Sequence, residues 1–370
     1  MKQEEYMKYV ADYNYATFYK QGFATAGHNG PHGHPDTPVR NTGHYLIIYS
    51  YLYKKTKDVK YWDICKKFAE YLLDMQKKSK SGAIQCMLSD KFDHLNGLIG
   101  QGWTIEALLY YYDISRDERI LDCAKAIFYS QKYDWDLHLW HRIELDGRDI
   151  DIDPTYNHHV WFAACSYKLA ELCHDDNIDK MITDFLTIGA ERDFRVHSED
   201  GVLCHHVRAD RPAMKVGKRK MLIKKILSPI RFLNPKKLDP KFMEYAYHIF
   251  DLYGFCILKE KYGHLPLYSS DSYKKAVACA QNIEYINKKL KSDISDTVYN
   301  VYGYSYNALA FEYPYVAKSC GFESQVINGS LYETQKKLMW NEETKMFSKN
   351  QPDLETWNAR TYEIIRYLEA

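Results

Sequence analysis

Three aspartates alternate with isoleucines between residues 149 and 153 of the chain. In an extended segment, Asp149, Asp151 and Asp153 would place their carboxyl groups on one face of the strand. Glycosidic chemistry needs a carboxyl group as proton donor or base, so this run is a candidate for acid–base catalysis. Asp153 could equally cap the helix that follows, because Pro154 suits the first helical position. These two roles are compatible, whereas we expect Asp149 and Asp151 to be solvated or part of a hairpin.

Histidines are concentrated near the start of the chain, at His28, His32, His34 and His44. Their spacing matches no zinc motif, and the intervening glycines and prolines interrupt any helical register. The run Cys204-His205-His206 is ambiguous in the same way. We therefore predict no metal site, and no cofactor either, because phosphate-binding glycine loops and dinucleotide motifs are missing. The histidines are candidates for recognising sugar hydroxyls or for holding the loop.

Arginines and tryptophans recur in the same polar segments. Arg40, Arg142 and Arg360 could clamp a carboxylate or phosphate by two-pronged hydrogen bonds, or form internal ion pairs with loop aspartates. Trp103 and Trp357 could stack on the apolar face of a sugar or pack in the core.

A repeated pair of helices organises the whole chain. Densely apolar helices are predicted to begin near residues 41, 100, 158, 245, 303 and 357, and each of the first five is followed by a more polar, amphipathic helix. Residues 3–19 supply a sixth amphipathic helix. Six such hairpins predict an all-α fold, an (α/α)6 toroid with the apolar helices inside. A helical solenoid would look similar, but the lack of a polar capping repeat favours the closed ring.

The connections between these helices differ in length. Turns from inner to outer helices are short, whereas the loops from outer to inner helices are long and carry the polar residues above. All long loops then lie on one face, at the N-terminal ends of the inner helices, where helix dipoles favour an anionic ligand. We predict the site there, with short β-hairpins such as the one turning at Asp146-Gly147.

One repeat is lengthened by a basic insertion. We predict a single domain over residues 1–370, with the insertion at 207–240 between the fourth outer helix, counting the N-terminal one first, and the fourth inner helix. Its segment 215–237 carries nine Lys/Arg and no acidic residue. A basic amphipathic stretch is typical of a peripheral contact with anionic membrane, and a solvated loop is the alternative.

Composition excludes several classes. The net charge of +1 argues against a nucleic-acid binder. No apolar run is long enough for a transmembrane helix, and the N-terminus lacks the apolar region of a secretory signal. Nine cysteines without a CxxC pair indicate free thiols. We therefore expect a cytoplasmic protein that could also contact the inner face of the membrane.

The segment Ile152-Asp153-Pro154-Thr155-Tyr156-Asn157, followed by Phe162-Ala163, resembles a signature of the unsaturated-glucuronyl hydrolases, which are six-hairpin glycosidases. There, Ile-Asp-x-x-x-Asn opens the third inner helix. The resemblance implies that Asp153 is the general acid/base, which in that family protonates the 4,5 double bond of a terminal uronate and activates a water. The family's second inner helix starts with Asp-x-Gly. Asn96 stands where that second aspartate is expected, and Asp93 could replace it by geometry.

The segment DPTYNHHVWFAA and the GQGW helix also resemble toroid proteins of polysaccharide biosynthesis. Together these features predict a carbohydrate-active enzyme, a glycoside hydrolase acting on an anionic, uronate-containing oligosaccharide or polysaccharide. Asp153 and Asp93 are its predicted acid–base groups. The predicted substrate-binding residues are Arg40, His44, Asn96, Gln101, Trp103, His141, Arg142, Asn157, His158, Trp357 and Arg360.

Two other functions remain open from the sequence. The first is a lyase, epimerase or other accessory protein of exopolysaccharide or lipopolysaccharide biosynthesis, in which His158, His159 or a tyrosine would move the proton. The second is a glycan-binding protein without catalysis.

Overall fold

The computed structural model describes residues 1–89, 93–208, 241–282, 285, 290 and 300–370. In chain order its main helices are α1 (Gln3–Gln21), α2 (Val39–Thr56), α3 (Val59–Lys77), α4 (Gly97–Ser115), α5 (Glu118–Tyr129), α6 (Tyr156–Leu172), α7 (Asp176–Asp184), α8 (Lys241–Tyr262), α9 (Asp271–Gln281), α10 (Leu309–Ser319), α11 (Gln325–Met339) and α12 (Leu354–Ala359). A π-helical stretch, Phe185–Ala190, and a last turn, Glu191–Asp193, extend α7. A 3-10 segment, Arg360–Ile364, and a final turn, Ile365–Glu369, extend α12.

The even-numbered helices form a closed inner ring. Along this ring α2 contacts α4, α4 contacts α6, α6 contacts α8 and α8 contacts α10. The segment Arg360–Ile364 then packs against both α10 and α2, which closes the circle. The helix α1 lies outside this closure and supplies the sixth outer helix. The predicted (α/α)6 toroid is thereby confirmed.

The burial of each helix matches its place in the ring. In α4, every residue from Gly97 to Leu109 is buried, as expected of a helix covered on all sides. In α5, by contrast, one apolar face is buried and the opposite face is exposed. The inner helices also approach closely. A Cβ atom at Gly102 of α4 would lie only 3.1 Å from the Phe162 Cα of α6.

Short β-strands lie in the loops between the helices. The strands β1 (Tyr133–Asp134), β2 (Leu139–Ile143) and β3 (Asp149–Ile152) form an antiparallel sheet in that order, and β4 (Trp340–Asn341) pairs with β5 (Met346–Phe347). The hairpin predicted to turn at Asp146-Gly147 is the β2–β3 connection.

Some predicted boundaries are wrong. The fifth inner helix begins at Leu309 instead of 303, because the backbone before it is engaged by side chains. Asn307 donates to the Tyr302 carbonyl, and Arg360 donates to the Tyr306 carbonyl. The fifth outer helix, predicted to reach residue 289, is described to Gln281.

Most of the basic insertion lies outside the described residues, which stop at 208 and resume at 241. The domain boundaries and the membrane contact therefore stay predictions. Among the described helices, none combines the length and the apolar character needed to cross a membrane.

Buried ion pairs tie the end of the chain into the ring. Arg366, in the final turn, donates to Glu106 of α4 at 2.6 Å, and both side chains are almost fully buried. Arg360 donates to Glu363 at 3.0 Å and also pairs with Glu312 of α10. Each of the two arginines therefore has a glutamate partner, as a charge in a low-dielectric interior requires.

Replacing Arg366 with Met should destabilise the fold, because Glu106 would keep a buried charge without its partner. Loss of one member of a buried pair costs about 3–5 kcal/mol. We expect a lower denaturant midpoint for Arg366→Met by equilibrium unfolding. The matched control is Arg119→Met, which removes an exposed pair with Glu70 and should leave the midpoint nearly unchanged. Equal midpoints for the two variants would contradict a role for the buried pair in closing the ring.

Candidate functional site

A cavity of about 270 Å³ opens at the N-terminal ends of the inner helices, where the sequence predicts the site. Its walls come from the loop before α2, the first turns of α4 and α6, the first half of α8, and the segments before α10 and after α12. Nine of the predicted site residues line it: Arg40, Asp93, Asn96, Trp103, Arg142, Asp153, Asn157, His158 and Arg360.

Asp153 lies at the centre of this face, immediately after β3. Its Oδ1 accepts a hydrogen bond from the Thr155 backbone N–H at 2.9 Å. Its Oδ2 accepts from the Leu98 backbone N–H at 3.2 Å and from His158 Nδ1 at 2.8 Å. Because α6 begins at Tyr156 after Thr155, Asp153 does not cap this helix in the way the sequence suggests, and Pro154 precedes the first helical turn.

The three predicted strand carboxylates do not share one face. A register shift at Arg142/Ile143 accompanies the left-handed Asp151, whose φ is 144°. As a result Asp149 pairs with Lys132 and His141, whereas Asp153 faces the cavity. Only the last of the three carboxylates belongs to the site.

The environment of Asp153 favours its charged form. Burial opposes ionisation, but the charge of His158 and its hydrogen bond outweigh the burial and hold the pKa of Asp153 well below its usual range. Asp153 is therefore a permanent carboxylate at neutral pH. Because it engages His158 through Nδ1, the other ring nitrogen, Nε2, is the one available to a ligand in the cavity.

Asp93 has the opposite environment. Its Oδ1 accepts from the Gly97 N–H at 2.6 Å, and its Oδ2 lies 3.5 Å from Arg142 Nη1. Burial, with a contribution from the negative charge of Asp153, raises the pKa of Asp93 above its ordinary value. Two carboxyl groups whose pKa values are pushed apart in one cavity are a common basis for acid–base chemistry.

Gly97 allows these groups to meet. Its φ is +58°, a left-handed conformation that favours glycine. A Cβ atom there would lie 2.5 Å from Asp153 Oδ2 and 2.6 Å from His158 Nδ1. The first turn of α4 can therefore touch the Asp153–His158 pair only because residue 97 has no side chain.

Arg40, in the first turn of α2, forms another part of the cavity wall. Its guanidinium lies over the Trp103 ring, 4.5 Å from the ring centroid. Its Nη1 donates to Asn29 Oδ1 at 2.7 Å and lies 3.7 Å from Asp36, whose pKa is raised by burial to about 6. Within the described residues, Arg40 Nε, Arg40 Nη2 and Trp103 Nε1 have no hydrogen-bond partner. Buried donors without a partner call for an explanation, and an acceptor-rich ligand bound beside them would supply one.

The sequence leaves two roles open for the arginines, a clamp for an anionic ligand and an internal ion pair, and the three arginines differ in which role their contacts favour. Arg40 and Arg142 lie beside the loop aspartates Asp36 and Asp93, as expected for internal ion pairs, and Arg40 also keeps unpaired donors. Arg360 is instead held by glutamates of the inner ring. Its guanidinium contributes positive charge to the cavity wall and has fewer donors left for a ligand.

Four predicted substrate-binding residues lie elsewhere, and two of them sit just behind the wall. His44 is fully buried and stacks on Tyr362, with ring centroids 4.5 Å apart. Gln101 uses its amide to bind the backbone of Ile84 in both directions, at 2.9 Å each. Neither side chain lines the cavity, and their contact with substrate stays a prediction.

The other two are farther from the cavity. His141 is held on the outer side of the sheet by Asp149 at 2.6 Å and by Asp134 at 3.4 Å. Trp357 is buried in the core, where its indole N–H donates to the Tyr304 carbonyl at 3.2 Å. Sequence placed both near the right loops, but the direction of each side chain is set by these partners.

The structure adds site residues that sequence reasoning did not select. Tyr247 and Phe250 of α8, together with Tyr306 before α10, also line the cavity. His32, one of the histidines that the sequence offers for recognising sugar hydroxyls, also lines it and lies 3.3 Å from Tyr247 Oη. Burial and the charge of Arg40 lower the pKa of His32 to about 4, so its imidazole is neutral at physiological pH. Because the chain has 34 tyrosines, nothing in the sequence distinguished Tyr247 and Tyr306 from the others.

No protein-family model matches the chain. Archaeal glycosylation protein Q of Haloferax volcanii is 26% identical over 356 residues, which cover 93% of this chain and 92% of that protein.

Solved structures with the same architecture include a sugar epimerase from a ruminal bacterium, at 12% identity, a TM-score of 0.64 and complete coverage of both chains. They also include an unsaturated glucuronyl hydrolase specific for heparin, at 12% identity and a TM-score of 0.58, covering 99% of this chain and 97% of that one. These likenesses show that the chain has the fold of the six-hairpin glycosidases.

Proposed function

We propose that this chain is a carbohydrate-active enzyme that hydrolyses a glycosidic bond in an anionic, uronate-containing oligosaccharide. The observation that carries the proposal is that one cavity holds a carboxyl group with a raised pKa, Asp93, and a carboxylate with a lowered pKa, Asp153, that is hydrogen-bonded to His158. Hydrolysis of a glycoside needs one group that gives a proton to the leaving oxygen and one that takes a proton from water.

Asp93 is the proton donor in this proposal. Its raised pKa keeps a fraction of the carboxyl protonated at a pH where an exposed aspartate is fully ionised. Arg142, 3.5 Å from Asp93 Oδ2, then stabilises the carboxylate that remains after the proton has left.

His158 is the group that takes a proton from the attacking water, through Nε2. Asp153 accepts the Nδ1–H of His158, which fixes the tautomer and the orientation of the ring and stabilises the imidazolium that forms. Asp153 thus serves as a positioning residue for His158, in place of the direct general acid/base role that the sequence resemblance implies. Asn157 and Asn96 line the same part of the cavity and are placed to bind sugar hydroxyls.

The charge of the substrate follows from the part of the cavity wall that contains Arg40. The Arg40 guanidinium lies on the Trp103 ring, and its Nε and Nη2 have no hydrogen-bond partner within the described residues. A uronate carries a carboxylate, which a guanidinium can bind by two parallel hydrogen bonds. Helix N-termini directed at the cavity add to this preference for an anion.

The likeness to a glycosylation protein along nearly the whole chain supports a place in glycan assembly. We therefore propose that the oligosaccharide belongs to a glycoconjugate under construction and not to a nutrient polysaccharide.

Epimerisation of a sugar is the second candidate function, and the imidazoles favour it. His32 and His205 line the same cavity as His158, and an epimerase needs a base and an acid flanking one sugar carbon. The ruminal-bacterium epimerase of the same fold supports this alternative. Product analysis separates the two reactions, since hydrolysis creates a new reducing end and epimerisation leaves the mass unchanged.

Removing either half of the acid–base pair should abolish turnover. Wild type, Asp93→Asn, His158→Gln and Asp153→Asn would be screened by mass spectrometry against acidic oligosaccharides, some with 4,5-unsaturated uronate ends. We expect kcat to fall roughly 10²–10⁴-fold in each variant, with circular dichroism unchanged. The control is Asp74→Asn, an exposed aspartate, which should retain the wild-type rate. Glycan binding without turnover by the wild type would favour the non-catalytic function, and full activity of Asp153→Asn would refute the role of the pair.

The pH dependence of kcat tests the role of Asp93. An acid must be protonated to act, so kcat should fall as pH rises through the pKa of Asp93, which burial raises above the ordinary value for aspartate. The descending limb of the pH–rate profile reports the loss of the proton from Asp93, so it should disappear together with activity in Asp93→Asn. In Arg142→Lys the limb should move to lower pH only if Asp93 becomes more solvated. A profile without a descending limb would contradict the role of Asp93 as the acid.

Arg40→Met should reduce selectivity for charged substrates. A hydrogen bond to a charged group contributes about 1.5–3 kcal/mol, so kcat/KM for a uronate-containing substrate should fall roughly 10–150-fold. Turnover of the matched neutral oligosaccharide should change much less. An equal loss on both substrates would mean that Arg40 supports the fold of the cavity and does not read the charge of the sugar.

A further inference from the structure

A second cluster of reactive side chains lies where the segment 195–206 meets α8. Within that segment His197 N–H donates to the Val202 carbonyl and Cys204 N–H donates to the Arg195 carbonyl, both at 2.9 Å. This pairing brings the His197 and Cys204 side chains together although seven positions separate them. Glu244, from the first turn of α8, completes the group.

The three side chains are close enough to share one ion. One ligand atom from each lies within 4.8 Å of the others, and His197 Nε2 is 2.7 Å from Glu244 Oε2. Bond lengths to zinc of about 2.0–2.3 Å place the ligands of a tetrahedral site about 3.2–3.7 Å apart. Small side-chain rotations therefore suffice to open the histidine–glutamate contact and draw in the sulfur.

We propose that His197 Nε2, Cys204 Sγ and a Glu244 carboxylate oxygen bind a divalent transition-metal ion of the zinc class. Imidazole, thiolate and carboxylate are the donors that zinc prefers, and all three residues are partly buried. Binding converts the Cys204 thiol to a thiolate and releases its proton to solvent. No zinc spacing is recognisable along the chain because the third ligand comes from a different element, across the basic insertion.

An ordinary hydrogen bond between His197 and Glu244 is the alternative explanation of this cluster. That hydrogen bond accounts for the positions of His197 and Glu244, but it does not explain why the Cys204 sulfur lies beside them. The second oxygen of Glu244 is already fixed, since Oε1 accepts from the His205 N–H at 3.1 Å. The carboxylate is therefore held in place on one side with its other oxygen directed at the cluster.

A metal here would steady one wall of the sugar cavity. His205 follows Cys204 directly, lines the cavity and lies with its ring centroid 5.0 Å from that of Tyr247 on α8. An ion that joins Cys204 to Glu244 would hold the segment against α8 and limit the movement of His205. The ion is structural in this proposal and takes no part in the reaction at Asp93 and His158.

Titration of the chelator-treated full chain with Co²⁺ tests the site directly. We expect saturation at one equivalent, the strong visible absorption of tetrahedral cobalt, and a near-ultraviolet thiolate-to-metal band that excess Zn²⁺ removes. Cys204→Ser should lose the thiolate band. Cys173→Ser, another partly exposed cysteine remote from this cluster in the sequence, is the matched control and should keep it.

Two further measurements keep the result clear if Cys204→Ser folds poorly. Glu244→Gln should weaken Co²⁺ affinity by about tenfold or more, since loss of even an outer-sphere partner costs that much. In the wild type, Zn²⁺ should protect Cys204, and not Cys173, from alkylation read out by peptide mass spectrometry. Binding without a thiolate band, a band that survives in Cys204→Ser, or the absence of saturable binding would each overturn the proposal.

Discussion

Closure of the inner ring is the constraint on which the rest of the structure depends. Six apolar helices cannot bury their faces unless the segment after α12 packs against α2. That segment carries Arg360 and Arg366, and each arginine is satisfied by a glutamate that comes from an earlier inner helix. Since a buried charge without a partner is costly, these pairs admit one register of the last segment against the ring.

The same closure explains why one end of the ring can hold a polar cavity. The short inner-to-outer turns leave all the long connections at the N-terminal ends of the inner helices, so polar side chains from distant parts of the chain converge there. Asp93 and Asp153 show what this convergence does to chemistry. Both are buried aspartates beside the start of α4, yet the bond to His158 lowers one pKa while burial raises the other. Partners, and not residue type, assign their roles.

The architecture could be predicted from sequence because hydrophobic periodicity is a local property. The repeat predicted the helical hairpins that the described residues form, and the segment around Asp153 predicted residues that line the cavity. Side-chain direction was less accessible, since it depends on contacts made after folding. His141 turns away because Asp134 and Asp149 hold it, and Gln101 turns inward because its amide satisfies the backbone of Ile84. Tyr247 and Tyr306 were hidden among many tyrosines of similar surroundings.

The neighbouring positions of the first and last helical segments also bear on how the protein is made. Tyr6 of α1 donates to Asn358 of α12, and Phe347 N–H donates to the Tyr6 hydroxyl. A ribosome delivers α1 first and its partners last, so the nascent chain carries an unfinished arc whose apolar edge has no cover. The ring cannot close until α12 and the segment after it have left the ribosome, so the face of α1 that binds them stays uncovered until then.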